Sequence, residues 1–291
     1  MYHKTAGYRL FTLFNTLFLV GLALLCILPL LHILAVSLSG RAAANANLVG
    51  FWPIDFNMES YKTTIGNDRF IRALWVAVER TVLGTVLSMT IILLAAYPLS
   101  KSSAVLKGRT FISWFFVFTM LFSGGLVPWY ITVTKLNLTD TLWALILPGA
   151  VNVWNLVLMI NFLRGIPKEL EEAAFIDGAG DWATLFKVFL PLSMPAIATL
   201  SLFTMVTNWN AWFDGLLFME FENYPLSSYL QTIVVQQDFS KGVMRPEDLE
   251  NFSQRSIKAA QIFVSALPIL LVYPFLQRFF VKGMVLGAVK E

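Results

Sequence analysis

Charge is scarce in this chain. Charged residues make up only 13% of its 291 positions and the mean hydropathy is +0.68, whereas roughly a quarter of a soluble domain carries charge. That balance excludes an ordinary soluble domain and reads as an integral membrane protein. Cysteine is nearly absent as well. The single Cys26 lies inside an apolar run, which excludes an internal disulfide framework and a thiolate metal cluster and leaves the thiol as a small buried hydrophobe. The net charge of +3 is too small and scattered to suggest nucleic acid. There are two histidines, His3 in the tail and His32 near the outer end of the first apolar run, and neither has companions for a metal site. No G-x-x-x-x-G-K-[ST], H-E-x-x-H or C-x-x-C occurs, so the common phosphate-cradling loop and the familiar zinc and redox motifs are missing. No residue is assigned a catalytic or metal-ligating role, and no cofactor is expected in the chain.

Apolar length is what the sequence has in abundance. A bilayer crossing needs about 20 mainly apolar helical residues, and six segments meet or approach this: 11–37, 72–99, 111–134, 142–163, 194–218 and 259–280. The first follows Lys4 and Arg9 and is too long for a signal peptide, so a retained anchor is expected. Aromatic residues, 14% of the chain, suit lipid and interfacial contact. Basic residues fall in the short connections, with Lys101, Lys107 and Arg109 in 100–110, and Arg164, Lys168 and Lys187 in 164–193. Together with Lys4, Arg9, Lys282 and Lys290 they fall on one side of a six-span arrangement and place both termini in the cytoplasm. The fold expected is an all-α polytopic membrane protein, one membrane domain over 1–291, with a cytoplasmic loop at 164–193 and an outward-facing loop at 219–258.

Polar residues within the apolar segments are few. Glu79 and Arg80 lie in the second, where lipid exposure would be expensive; adjacent residues do not share a helical face, so they are not expected to bind each other. Asn137-Leu138-Thr139 matches a glycosylation acceptor, a short and common pattern that reads as coincidence.

The stretch "KELEEAAFIDGAG" at 168–180 is the largest charged interruption of the apolar pattern. Pro167 can begin a helix without forfeiting a needed amide hydrogen bond, and "KELEEAAFI" continues with good helix formers. Glu169, Glu171 and Glu172 complement the amino-terminal dipole. Gly178 and Gly180 interrupt the helix, and Asp181 is placed to cap a second one containing Trp182, Leu185, Phe186, Phe189 and Leu190. Two short helices joined by a turn are predicted, with Pro191 and Pro195 marking re-entry into the membrane. Ala173 and Ala174 permit close approach of a docked partner.

The spacing from Glu172-Ala173-Ala174 through Gly178 to Val188-Phe189-Leu190-Pro191 closely resembles the EAA loop of binding-protein-dependent ABC importer permeases, whose common form has isoleucine at the place of Val188. The run "EAAFIDGAGDWATLFKVFLPLSMP" is similar to the carbohydrate-importer branch, and the likeness extends over all six apolar segments. The resemblance implies a type I ABC importer permease fold in a bacterial inner membrane. It implies Glu172, Ala173, Ala174, Asp177 and Gly178 as the coupling core docked in an ATPase subunit, with Leu190 and Pro191 setting the following junction. It also implies a second homologous permease, two ATPase subunits carrying ATP and Mg²⁺, and an extracytoplasmic solute-binding protein. "YPLSSYLQTIV" at 224–234 and "YPFLQRFFVKGMVLGAVKE" at 273–291 look like the subgroup for complex polysaccharides or oligosaccharides, at its narrowest the second membrane subunit of alginate oligosaccharide importers.

In such an importer, Asn208, Trp209, Asn210 and Trp212 are candidates for the substrate path, since amides bond sugar hydroxyls and aromatic rings cover apolar sugar faces. Trp209 and Trp212, three apart, are expected to share a helix face. The 219–258 loop is expected to dock the solute-binding protein or receive its solute. Lys241, Arg245, Arg255 and Lys258 favour an anionic solute, but nearby acids leave the net field open. The competing classes are an ion-coupled secondary transporter, a membrane-embedded enzyme and a membrane scaffold.

Overall fold

The computed structural model describes residues 6–234 and 255–288. Among these residues every regular element is helical. Three helices are long and apolar enough to cross a bilayer: α1 (Ala6–Ser37), α4 (Asp68–Ser100) and the Arg255–Val272 part of α15 (Arg255–Ala288). Short helices α2 (Arg41–Asn45) and α3 (Glu59–Ile65) lie between the first two.

The other apolar segments are broken rather than continuous. The expected 111–134 span is α5 (Arg109–Leu121) and α6 (Leu126–Lys135), interrupted at Ser123-Gly124-Gly125 and bent by 111°. Pro148 and Gly149 divide 142–163 into α7 (Leu142–Ile146) and α8 (Val153–Arg164). The 194–218 segment stops at Ala211, leaving α12 (Met194–Asn210) and α13 (Phe213–Phe218). If α5 with α6, and the 181–192 segment with α12, each count as one bent span, five segments among the described residues are long and apolar enough to cross. Glycine and proline at the first two breaks remove helix stability, and membrane proteins tolerate such breaks where the protein itself satisfies the freed backbone.

The chain forms two compact units. The first comprises the described parts of 1–71 and 230–267. Its core is built of small side chains, Ala35, Val36, Ala43, Ala44, Val49 and Ala259, which allow close approach of backbones. His32 Nδ1 donates to the Gly50 carbonyl at 2.8 Å, and the Arg255 N–H donates to Asn45 Oδ1 at 3.1 Å. The most apolar part of α1 has none of its residues buried, and Cys26 is exposed. This corrects the expectation of a buried thiol: with Phe11, Phe14 and Phe18 also exposed, α1 presents its apolar surface outward, where lipid is the natural neighbour.

The second unit comprises the described parts of 72–229 and 268–291. Ile92, Ala96 and Leu99 of α4 pack with Leu156, Met159 and Leu163 of α8 and Leu200 of α12. Between helices in lipid the transfer of apolar surface contributes little, so close fit and hydrogen bonds carry the association. One such bond runs from Asn155 Nδ2 to Thr204 Oγ1 at 3.2 Å, fully buried.

At the opposite end, Trp129 meets Phe218 edge to face at 5.0 Å. Asp140 joins the 135–141 turn to the segment after α13. Its N–H donates to the Phe218 carbonyl at 2.7 Å, and its carboxylate accepts from the Glu220 N–H and from Asn223 Nδ2. Asn223 Oδ1 in turn accepts from Arg72. Asn137 and Asp140 have φ of 53° and 55°, a left-handed turn geometry that Asn and Asp tolerate well; the Asn-Leu-Thr pattern has a local structural reason.

The outward loop predicted at 219–258 begins as a turn and continues as α14 (Leu226–Val234); residues 235–254, with Lys241 and Arg245, lie outside the described residues. Gly215 is where α13 meets the start of α14. A Cβ there would lie 2.1 Å from Ser228 Oγ and 2.8 Å from the Pro225 ring. Gly215→Ala is therefore expected to cost about 1–3 kcal/mol through overpacking, read as a lower unfolding temperature of the purified protein in detergent. Gly50→Ala, with nothing within 4 Å of the new carbon, is the comparison and should leave that temperature nearly unchanged.

Candidate functional site

The charged interruption forms the predicted pair of helices. Pro167 precedes α9 (Lys168–Ile176) and Asp177 follows it. Gly178 has φ +80°, and the helix closes with two paired bonds: Ala179 N–H to the Ala174 carbonyl at 2.9 Å, and Gly178 N–H to the Phe175 carbonyl at 3.0 Å. This is the Schellman closure, in which a residue with positive φ lets the last carbonyls be satisfied. The glycine of the motif thus has a backbone reason. Asp181 does not cap the next helix as expected; Gly180 occupies that position and Asp181 is the first helical residue, with no side-chain capping bond. It complements the helix dipole instead.

The second arm runs through α10 (Asp181–Thr184), a π-helical turn (Leu185–Phe189) and α11 (Leu190–Leu192). It then bends by 77° into α12. Leu190 packs against the second unit's core, whereas Pro191 is exposed at the bend.

The two faces of α9 differ. Glu171 turns inward and accepts a bond from Lys101 Nζ at 2.6 Å, a pair whose side chains are only 20% and 11% exposed. The same ammonium lies 4.0 Å from the centre of the Tyr97 ring and 4.2 Å from that of Phe189. Those two rings meet edge to face at 5.1 Å. Lys101 therefore joins the end of α4 to both arms of the loop through an ion pair and cation–π contacts, the latter worth about 0.5–2 kcal/mol each. Glu172, Ala173 and Asp177 are exposed on the outer side, Ala174 is half-buried, and Ile176 is 86% exposed. Exposed Leu170, Phe175, Trp182 and Phe186 extend this surface. A charged helix ringed by exposed apolar side chains has the chemistry of a docking surface.

The second cluster lies at the end of α12. Trp209 is buried and lines an apolar cleft of about 210 Å³ with Val78, Val82, Met205 and Pro268. Asn208 is half-buried against Gly84, where an added Cβ would stand 2.8 Å from its amide nitrogen. Asn210 and Trp212 are exposed. The expectation that Trp209 and Trp212 share a helix face is corrected: Ala211 has φ −70° and ψ 120°, so the helix ends between them.

This break is secured by residues far away in sequence. Arg80 Nη1 donates to the Ala211 carbonyl at 3.0 Å and to Asp214 Oδ1 at 3.1 Å, while Nη2 pairs with Asp214 Oδ2. Ser227 Oγ donates to the Ala211 carbonyl and Ser228 Oγ to the Trp212 carbonyl. Arg80 is thus paired with Asp214, and its neighbour Glu79 is not its partner.

The contact that joins Lys101, Glu171, Tyr97 and Phe189 is not foreseen from the sequence. In the sequence Lys101 is a basic residue of a short connection, and no motif joins it to a glutamate 70 positions away. Arg80 and Asp214 are 134 apart, and a charge inside each of two apolar segments is the signal the sequence offers for the pair.

Gly178→Ala would force an L-residue into the left-handed region, a cost of about 1–2 kcal/mol. Hydrogen exchange of the Ala179 amide is expected to speed up by about 5- to 30-fold. Gly180→Ala, at an ordinary φ of −83°, should change it little.

The comparisons with known proteins agree with this geometry. Residues 70–286 match the family model described as binding-protein-dependent transport system inner membrane component. The polygalacturonan/rhamnogalacturonan transport system permease protein YtcP of Bacillus subtilis (strain 168) is 40% identical over 286 residues, covering 97% of this chain and 99% of its own. Protein LplC of the same organism is 39% identical over 291 residues, covering 99% and 97%. A chain in the crystal structure of a bacterial ABC transporter involved in the import of the acidic polysaccharide alginate superposes with a TM-score of 0.84 at 29% identity, over 96% of this chain and 100% of that one. With most of its length inside that family, the protein belongs to the inner-membrane permease components of binding-protein-dependent ABC transport systems, which are multi-pass transport subunits and not enzymes.

Proposed function

We propose that this chain is one of two homologous permeases forming the membrane core of an ATP-driven carbohydrate importer. Its solute is an oligosaccharide of an acidic polysaccharide, such as an alginate fragment. Support for the solute comes from its relatives: one is named for polygalacturonan and rhamnogalacturonan transport, and the structural neighbour takes part in alginate import. The extracytoplasmic solute-binding protein delivers the sugar to the outward side, where Asp140 and Asn223 hold 135–141 and 219–225 together and α14 follows. Both termini and the 164–193 loop face the cytoplasm.

The observation that carries the reading is the two-sided α9 helix. Its outer side, with Glu172, Ala173 and Asp177 exposed, docks in one of two ATPase subunits, which bind ATP and Mg²⁺. Its inner side is tied to α4 through Glu171 and Lys101 and to the second arm through Phe189. Ala174 and Gly178 shape the helix and its end; Leu190 and Pro191 set the junction to α12. Movement of the ATPases thereby reaches the two elements that converge on the α12 break. ATP can drive this only if it binds one conformation more tightly than the other, since equal affinity shifts neither.

At the break, Asn210 and Trp212 are exposed and suited to sugar hydroxyls and ring faces. Asn208 and the buried Trp209 support the same wall from behind, Trp209 by packing in the apolar cleft.

The test is ATP-dependent uptake of alginate and galacturonate oligosaccharides by proteoliposomes containing the assembled permeases, ATPases and binding protein. Glu172→Ala, at an exposed position where stability is little affected, is expected to reduce uptake by about tenfold or more while the complex stays assembled. Lys101→Met should lower uptake relative to ATP hydrolysis, because docking survives and the link to α4 does not. Unchanged uptake in an assembled Glu172→Ala complex would refute the coupling role.

A further inference from the structure

A cleft of about 340 Å³ opens between α5 and α8. Its lining is graded. Arg109 begins α5 and Arg164 ends α8, so both guanidiniums stand at the loop end; Ser113 and Asn161 lie about one turn further in; Val117 and Val157 lie roughly 10 Å deeper along the two helices. Charge gives way to polar and then apolar walls in one direction.

Neither guanidinium has a carboxylate partner among the described residues. Arg109 Nη1 donates to the Lys101 carbonyl at 3.1 Å and Arg164 Nη2 to the Leu99 carbonyl at 3.2 Å. Each thus uses one donor on the terminal carbonyls of α4 and retains others. Arg109 Nε is buried with no acceptor, a condition that is rare in folded proteins and costly where it persists. The guanidinium of Arg164, which lies beyond the apolar segment, is held below its ordinary range by burial and then by the nearby charge of Arg109. Half-buried Arg109 and exposed Arg164 thus line one cleft above an apolar slot with no carboxylate partner among the described residues, and lack a negatively charged amphipathic neighbour.

We propose that this cleft binds an anionic phospholipid of the inner leaflet, with its phosphate against Arg109 and Arg164 and an acyl chain along Val117 and Val157. The assignment rests on the cytoplasmic orientation of the 164–193 loop and is independent of which sugar is carried. Basic pockets between spanning helices at the cytoplasmic surface bind acidic headgroups through this combination of charge and apolar contact. Because both arginines also grip the end of α4, next to Lys101, lipid binding would stiffen the place where the coupling loop is anchored.

The experiment is native mass spectrometry of the assembled transporter, delipidated and then titrated with phosphatidylglycerol or phosphatidylcholine, for the unaltered protein and Arg109→Gln/Arg164→Gln. The expected result is retention of phosphatidylglycerol but not phosphatidylcholine by the unaltered complex, and about thirtyfold weaker retention by the double variant. Arg109→Lys/Arg164→Lys, which keeps the charge, should recover much of the binding, and thermal unfolding checks that all variants are folded. Equal lipid retention by the unaltered protein and the glutamine variant would overturn the proposal. So would displacement of the lipid by inorganic phosphate at matching concentration, which would identify a free-anion site. Loss of the partner permease from the glutamine complex would overturn it in favour of a subunit interface.

Discussion

A helix that ends inside a bilayer leaves carbonyl groups with no water to bond, and each must find a donor within the protein. The rest of this structure is arranged around that constraint. At the Ala211 break, Arg80 bridges the freed carbonyl and the Asp214 carboxylate, and Ser227 and Ser228 supply the remaining donors. A charge that would be prohibitive in lipid is tolerated because Arg80 is 2% exposed and paired. The break in turn separates Trp209, buried in an apolar cleft, from Trp212, which is exposed.

The same constraint recurs at the end of α4. The carbonyls of Leu99 and Lys101 are met by Arg164 and Arg109, cations that also complement the negative end of the helix dipole. Lys101 adds its own side chain to Glu171, Tyr97 and Phe189. Lys101, Arg109 and Arg164 therefore have individual structural roles besides the orientation expected from their number. They bind the loops to the carboxyl-terminal end of one long helix, whose middle is bound through Arg80 to the α12 break. One long helix thus touches both the 168–192 loop and the α12 break, the connection that the proposed coupling requires.

Part of this was legible from local chemistry. The helix pair at 168–192 followed from Pro167, a run of good helix formers and Gly178, because caps and turns depend on residues a few positions apart. The left-handed φ at Gly178 explains why a glycine stands there. The breaks were only partly legible: Pro148-Gly149 and Gly124-Gly125 mark two of them, but Ala211 is no helix breaker, and its extended backbone depends on Arg80 and Ser227 from other helices. The exposed Cys26 was misread because an apolar neighbourhood in sequence does not distinguish protein core from lipid.

The sequence by itself determined that the protein lies in a membrane, that it is helical and that a charged helix pair interrupts its apolar pattern at 168–192; hydropathy, charge placement and turn residues act locally and can be read in order. Only the tertiary structure decided which charges are paired, which face of α9 is free, which tryptophan is buried, and that Arg109 and Arg164 share one cleft. Those outcomes depend on contacts between residues 55 to 134 positions apart, where the energy lies in the meeting of two helices and neither segment alone encodes it.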